Sequence, residues 1–582
     1  MFSFSSLFSL ASIGLTGTNL NLLYISIILG IIGIVLFYFY FRIVPAKEYL
    51  HEEAEAAGYE RPNEYVRDKL SDKPRELSWK IFLYDDSKSI GLRYIFTSIL
   101  FLCIAGSFGV LMRVSLTEPS PTIIGAAQYN VLMTEHATLM IYMFALGAAL
   151  GLGFYLLPSH LKLKKDTMGV YTSFAYWIWL AGGLFILISR AALRWYFYPP
   201  LSLELTQVGG GEFAWLAVLG LELVFIGLMV ASVSIIKIIA FDRSPDIKLN
   251  QMSLFTWSIL FTVIMGITSA PPLMVGLGML FYDYFNPIFF ITGTNTLLFT
   301  ILFWFWGHPI VYMAVIPFFG LIYEILPKFT GSKVYSYNSG VWGLGLLLIL
   351  SELVWGHHLL NSGLGIAWIT FFTTMSFLVV IPSAITVFNF IATLWTAKSI
   401  RMTVPMLFVL NGIVDFIIGG ITGVMQSFAP FNEQVHGTYW VTGHFHFIFI
   451  GITMGISFAA FYMLFPTFTG GRKYNVSLAR WHFGLTALGS YIMAFAWSVG
   501  GFLGMPRAVA GYFGFFQGYQ DASIIGGVII GIAQIIFLYN IAVSWLKAPS
   551  TSTDNAFEQG NTGPTDSQSA ELNKVPAVSG GK

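Results

Sequence analysis

Gly443-His444-Phe445-His446 places two imidazoles one residue apart inside a long apolar run. On an α-helix a step of two residues turns about 200°. The two rings therefore leave opposite sides of one rod, and a single helix can hold a metal centre on each flank. Four more histidines stand in equally apolar surroundings: His136, His308, His357 and His358. A polar side chain buried without a partner costs roughly 2–7 kcal/mol. Six of them would cost about 12–42 kcal/mol, enough to cancel or exceed the roughly 5–15 kcal/mol by which whole domains are stable. The same runs offer few acidic partners, whereas metal coordination satisfies an imidazole completely, and imidazole suits iron and copper alike.

Local spacing divides the six. Gly307-His308-Pro309-Ile310-Val311-Tyr312 sets His308 and Tyr312 four residues apart, on one helix face. Pro309 removes a backbone donor and allows the helix to distort there. His357 and His358 are adjacent, about 100° apart on a helix, which suits two ligands approaching one ion. His308, His357 and His358 together make a three-imidazole site that fits copper or zinc with a fourth position open. His136 with His446 would complete a six-coordinate haem closed to substrate. His444 alone would leave a five-coordinate haem open to a gas.

The elements that must position these residues are membrane helices. Of 582 residues, 56% are hydrophobic and only 10% charged, and the mean hydropathy of +0.72 excludes an ordinary soluble protein. Thirteen apolar runs long enough to span a bilayer are expected near 19–43, 91–115, 128–157, 168–194, 212–240, 252–281, 295–326, 339–362, 366–396, 402–428, 437–466, 479–503 and 521–547. The fold class is therefore all-α, a polytopic membrane helix bundle, and no alternating pattern of a membrane β-barrel is present. Cys103 is the single cysteine, so there is no internal disulfide and no thiolate-ligated cluster. A net charge of +1 gives no ground for a nucleic-acid partner.

Charge sets the orientation. No Lys or Arg precedes the first run, it is too long for a cleaved signal, and Arg42 and Lys47 follow it. The N-terminus is expected outside and the C-terminus in the cytoplasm, with most loop lysines and arginines inside. Arg113, Arg190, Arg194 and Arg507 fall on the outer side, where each needs a local reason. Arg190 and Arg194 read as interfacial anchors. In this orientation all six histidines lie in the outer half of the membrane. The segment 44–90 reads as a cytoplasmic loop. The segment 548–582, rich in Ser, Thr, Asn and Gly, reads as a disordered cytoplasmic tail.

Across residues 91–547 the chain resembles subunit I of the haem-copper oxygen reductases, the cytochrome oxidase superfamily. The motifs are Trp304-Phe305-Trp306-Gly307-His308-Pro309, Trp355-Gly356-His357-His358, Gly443-His444-Phe445-His446 and Gly504-Met505-Pro506-Arg507. The resemblance implies a twelve-helix core plus one extra N-terminal transmembrane helix within residues 1–43. It implies a low-spin haem on His136 and His446, a high-spin haem on His444, and copper on His308, His357 and His358. Tyr312 would be covalently joined to His308. Arg507 and His436 match residues beside the haem propionates, although the usual second arginine is Ala508. Arg113 matches one that meets a formyl group, which implies haem A.

Departures point to the B-type branch. Ile310 and Thr386 stand where A-type members carry Glu and Lys, and Asp166 is out of register with their second proton channel. One polar track through Thr386, Ser383, Tyr323 and Tyr312 is expected instead, with Phe319 interrupting it. Tyr312 and Tyr323 are eleven residues apart, three turns on one face of a continuous helix. The implied function is the catalytic subunit of a proton-pumping respiratory terminal oxidase of the cell membrane, reducing O2 to water. Its electrons would come from quinol, cytochrome c or a small copper protein, and its partners would be other subunits such as subunit II and membrane lipid. The competing readings are a nitric oxide reductase-like enzyme, against which Tyr312 beside His308 argues, and a non-redox transporter.

Overall fold

Twelve helices long and apolar enough to cross a bilayer make up the computed structural model. It describes residues 79–546 apart from 83, 122, 164–168, 204–210, 212 and 291–294. They are α1 (Ser87–Val114), α2 (Ala126–His160), α3 (Gly169–Ser189), α4 (Ala214–Asp242), α5 (Leu254–Asp283) and α6 (Thr296–Thr330). The second half comprises α7 (Tyr337–Leu359), α8 (Ile366–Trp395), α9 (Val404–Ser427), α10 (Tyr439–Phe468), α11 (Val476–Phe502) and α12 (Gly514–Leu546). Each coincides with a run read from hydropathy. The expected span 19–43, the tail 548–582 and Asp166 lie outside the described residues. No β-strand occurs among the described residues.

Helix α1 starts four residues earlier than hydropathy suggests because Asp86 caps it, its Oδ1 accepting from Ser89 N at 3.1 Å. A capping carboxylate of this kind satisfies a backbone donor that the helix leaves unpaired. Just inside, the buried Arg93 donates to the carbonyls of Ile81 (2.7 Å) and Tyr84 (2.6 Å) and to Ser173 Oγ (2.9 Å). One side chain thus ties the approach to α1 to the start of α3.

Lipid tails are as apolar as leucine, so helix pairs in a membrane gain little from the hydrophobic effect and rely on close backbone approach. Three pairs use reciprocal glycines. A methyl on Gly91 of α1 would sit 2.7 Å from the Gly151 carbonyl of α2. The same crossing recurs for Gly220 of α4 against Gly182 of α3, and for Gly489 of α11 against Gly526 of α12.

The regular helices fail where the histidines are. A π-helical segment, Met140–Ala145, follows His136 in α2, and another, Phe449–Met454, follows the His444–His446 pair in α10. Such wide turns concentrate at functional sites. Helix α6 is broken twice. Its first part ends at Gly307, a short piece runs Pro309–Met313, and the last part resumes at Ile316. Tyr312 and Tyr323 therefore do not share one uninterrupted helix face, correcting the eleven-residue spacing argument. His357 and His358 lie on a 3-10 turn, Trp355–Leu359, beyond the α-helix that ends at Ser351.

Candidate functional site

One cavity of about 1250 Å³ opens in the bundle, and all six histidines line it. Two groups of three meet there from different directions. His136 of α2 and the His444–His446 pair of α10 form the first group, and the breaks in α6 and α7 deliver the second.

The first group is aimed by the backbone. His136 Nδ1 lies 2.7 Å from the Ala105 carbonyl, His444 Nδ1 2.8 Å from the Gly419 carbonyl, and His446 Nδ1 2.8 Å from the Thr442 carbonyl. A carbonyl oxygen only accepts, so each Nδ1 carries the hydrogen and each Nε2 keeps its lone pair. Metal-ligating histidines are oriented in this way. Two glycines hold the rings in place. A methyl on Gly109 would stand 2.8 Å from His136 Cε1, and one on Gly423 would stand 2.6 Å from His444 Cε1.

In the second group, ligand atoms of His308, His357 and His358 all lie within 4.8 Å of one another. His308 Nδ1 and His358 Nε2 are 3.2 Å apart. Two nitrogens each ~2.0–2.1 Å from one tetrahedral ion would be separated by about 3.3 Å, so the spacing fits shared coordination. Ser376 donates its hydroxyl to the Phe372 carbonyl (2.6 Å) and so accepts from His357 Nδ1 at 2.7 Å, which leaves His357 Nε2 for a ligand. Trp304, one turn before His308, stacks on His358 with ring centroids 3.7 Å apart. His308 Nε2 is buried and has no partner, while the Tyr312 ring lies beside it, centroids 4.9 Å apart.

The expected proton-track residues divide between the cavity and a polar cluster. Tyr312 and Ser383 line the cavity. Thr386 and Tyr323 lie deeper, between α6, α7 and α8. Thr386 Oγ1 donates to its own helix at the Pro382 carbonyl (2.9 Å), and Gly343 of α7 leaves room for it. Asn389, which sequence reading passed over, donates to the Tyr323 hydroxyl (3.2 Å) and bonds both the amide and the carbonyl of Ser336. Its signal was present. Ser383, Thr386, Asn389 and Thr393 recur at three, three and four residues, one polar stripe on an apolar helix. Phe319 is buried edge-on against Phe416, so no hydroxyl occupies that position.

Three arginines, Arg113, Arg194 and Arg507, line the cavity, whereas Arg190 is exposed. Arg113 donates to Gln520 Oε1 (3.4 Å) and the Tyr129 hydroxyl (3.3 Å) and sits over the Trp497 ring. Arg507 and His436 also line the cavity. Burial pulls the His436 imidazole below its ordinary pKa, and the Arg507 guanidinium adds to this. Arg194 is not the interfacial anchor its loop position suggested, because it lines the same cavity.

Known proteins are similar to this chain. The family described as Cytochrome C and Quinol oxidase polypeptide I matches residues 89–529. Cytochrome c oxidase subunit 1 of Synechocystis is 34% identical, covering 79% of this chain and 84% of its own. Quinol oxidase subunit 1 of Bacillus subtilis is 30% identical, covering 82% of this chain and 74% of its own. A heme-copper terminal oxidase dimer solved by cryo-electron microscopy is similar in fold, with a TM-score of 0.69 at 23% identity, over 80% of this chain and 85% of that one.

The glycine contact yields a test that touches no ligand. Gly423→Ala forces the His444 ring off the Gly419 carbonyl, and with a gas-binding haem on His444, as the resemblance implies, it is expected to remove the carbon monoxide difference spectrum while the low-spin absorbance band persists. An unaltered carbon monoxide spectrum would show that something else aims His444.

Proposed function

The chain belongs to the cytochrome c and quinol oxidase polypeptide I family, and on that footing we propose a role for each polar residue of its cavity. The protein is the catalytic subunit of a respiratory terminal oxidase, a multi-pass membrane enzyme that reduces O2 to water at a haem-copper centre and couples this to proton translocation. His136 and His446 hold the low-spin haem, His444 the high-spin haem, and His308, His357 and His358 the copper ion. The observation that carries this reading is the set of three Nε2 lone pairs aimed by carbonyls into one cavity, beside a trio at coordination spacing. When bound, the two haems and copper supply the electrons and the open coordination position that oxygen reduction requires.

The chain's own residues handle orientation and protons. Ser376 and Trp304 fix the rings of His357 and His358, and the unpartnered His308 Nε2 is the atom through which Tyr312 is joined. Tyr312 holds a proton and a readily removed electron at its phenol oxygen beside the copper ligands. Protons reach it from the cytoplasmic side past Ser336, Asn389, Tyr323, Thr386 and Ser383. A relay of hydroxyls and an amide avoids a fixed ion in the membrane, where one costs about 2.5–3.5 kcal/mol or more. This accounts for Thr386 standing where the resemblance puts the lysine of A-type members. Arg113, on the low-spin side, fits a formyl-bearing haem A. The N-terminus lies outside and the C-terminus in the cytoplasm. Quinol or a small redox protein such as cytochrome c donates electrons, with another subunit such as subunit II completing that route.

Metal analysis of the intact, active complex is expected to find one copper for two irons in each copy of this chain. His446→Ala should lose the low-spin spectrum and keep copper, and His444→Ala should lose carbon monoxide binding; substantially less than one copper in active protein would refute the assignment. Tyr312→Phe is expected to retain both haems yet nearly abolish oxygen consumption, and peptide mapping should find His308 and Tyr312 joined. Wild-type turnover in that variant would reduce Tyr312 to a packing residue. Thr386→Val and Asn389→Leu keep approximate shape and remove the relay. Both should slow turnover severely with normal haem spectra, and rapid turnover in both would place the proton path elsewhere.

A further inference from the structure

Two guanidinium groups face the cavity from separate parts of the chain, Arg194 from the loop after α3 and Arg507 from the loop after α11. The backbone goes to some length to place Arg194. Arg190, Arg194 and Phe197 have φ of 48°, 54° and 56°, a left-handed conformation that non-glycine residues adopt at a cost of roughly 1–3 kcal/mol each. Arg194 N donates to Thr134 Oγ1 at 2.8 Å, two residues before His136. Its guanidinium donates to the Tyr196 hydroxyl at 2.6 Å and reaches the Ala508 carbonyl at 3.5 Å. Ala508 is itself left-handed, with φ of 61°, and adjoins Arg507. Among the described residues neither arginine forms an ion pair with a carboxylate.

Two half-buried like charges converging on one space call for an anion in that space, and the planar forks of arginine match a carboxylate. We propose that Arg194 and Arg507 together clamp a propionate carboxylate of a haem in the cavity. Arg194 is thus a cofactor-positioning residue fixed by Thr134, Tyr196 and the Ala508 carbonyl. This rests on the haem assignment above.

A cation beside a propionate opposes the extra positive charge of oxidised haem, so its removal lowers the reduction potential. The test is a spectroelectrochemical titration of the whole complex. Arg194→Gln is expected to shift one haem's oxidised-to-reduced equilibrium about tenfold toward oxidised, equal to 59 mV for a one-electron couple, with the other haem nearly unmoved. Arg194→Lys should shift it less, and Arg194→Gln combined with Ala508→Arg should return it toward wild type. Unmoved potentials in an Arg194→Gln protein that retains both haem spectra overturn the role of Arg194 and leave the haem assignment standing. Wild-type protein without haem would overturn both. If Arg194→Gln alone loses haem, the double variant decides: recovered haem and potential support the clamp, and continued loss of haem rejects it.

Discussion

Three hydrogen bonds from ring Nδ1–H groups to backbone carbonyls govern this structure, those of His136 to Ala105, His444 to Gly419 and His446 to Thr442. A hydrocarbon interior offers no water to satisfy a polar ring, and a rotating imidazole would have no fixed lone pair to present. A carbonyl can only accept, so each bond settles tautomer and direction together. Other features follow from keeping those bonds intact. Gly109 and Gly423 are glycines because any side chain there would collide with His136 or His444. The α1 and α9 carbonyls can serve only because α1 and α9 press against α2 and α10.

Regularity is given up where side chains must converge from one helix onto a point. In α6, His308 and Tyr312 serve the cavity while Tyr323 lies in the polar cluster with Asn389. The two breaks, at His308 and at Ala314–Val315, separate these duties. The same reasoning applies to α7, where adjacent histidines on a 3-10 turn reach one ligand position while Trp304 and Ser376 hold them from α6 and α8.

Much of this was legible in the residues. Hydropathy found the twelve described spans because bilayer thickness imposes a minimum apolar length. The six histidines stood out because their apolar runs offer few acidic partners. The first helix break was legible from Pro309, and the second had a signal that was passed over, Pro317 in the first turn of the resumed helix, which lacks the backbone donor needed to continue across Ala314–Val315. Asn389 was missed because attention to individual hydroxyls overlooked the stripe from Ser383 to Thr393. Arg194 was misread because a charge just past an apolar run ordinarily faces lipid headgroups. Only the fold of its loop, bent back at three left-handed residues, turns it inward.

The two-residue step from His444 to His446 also carries a kinetic consequence. Both rings are bolted to one turn of α10, with only Phe445 between them in the chain. Flexing of the bundle moves the pair as a unit and leaves their separation almost unchanged. Electron tunnelling falls off steeply with distance, so with the haems placed as proposed above, a gap fixed by one helical turn would make transfer between the two flanks insensitive to thermal motion.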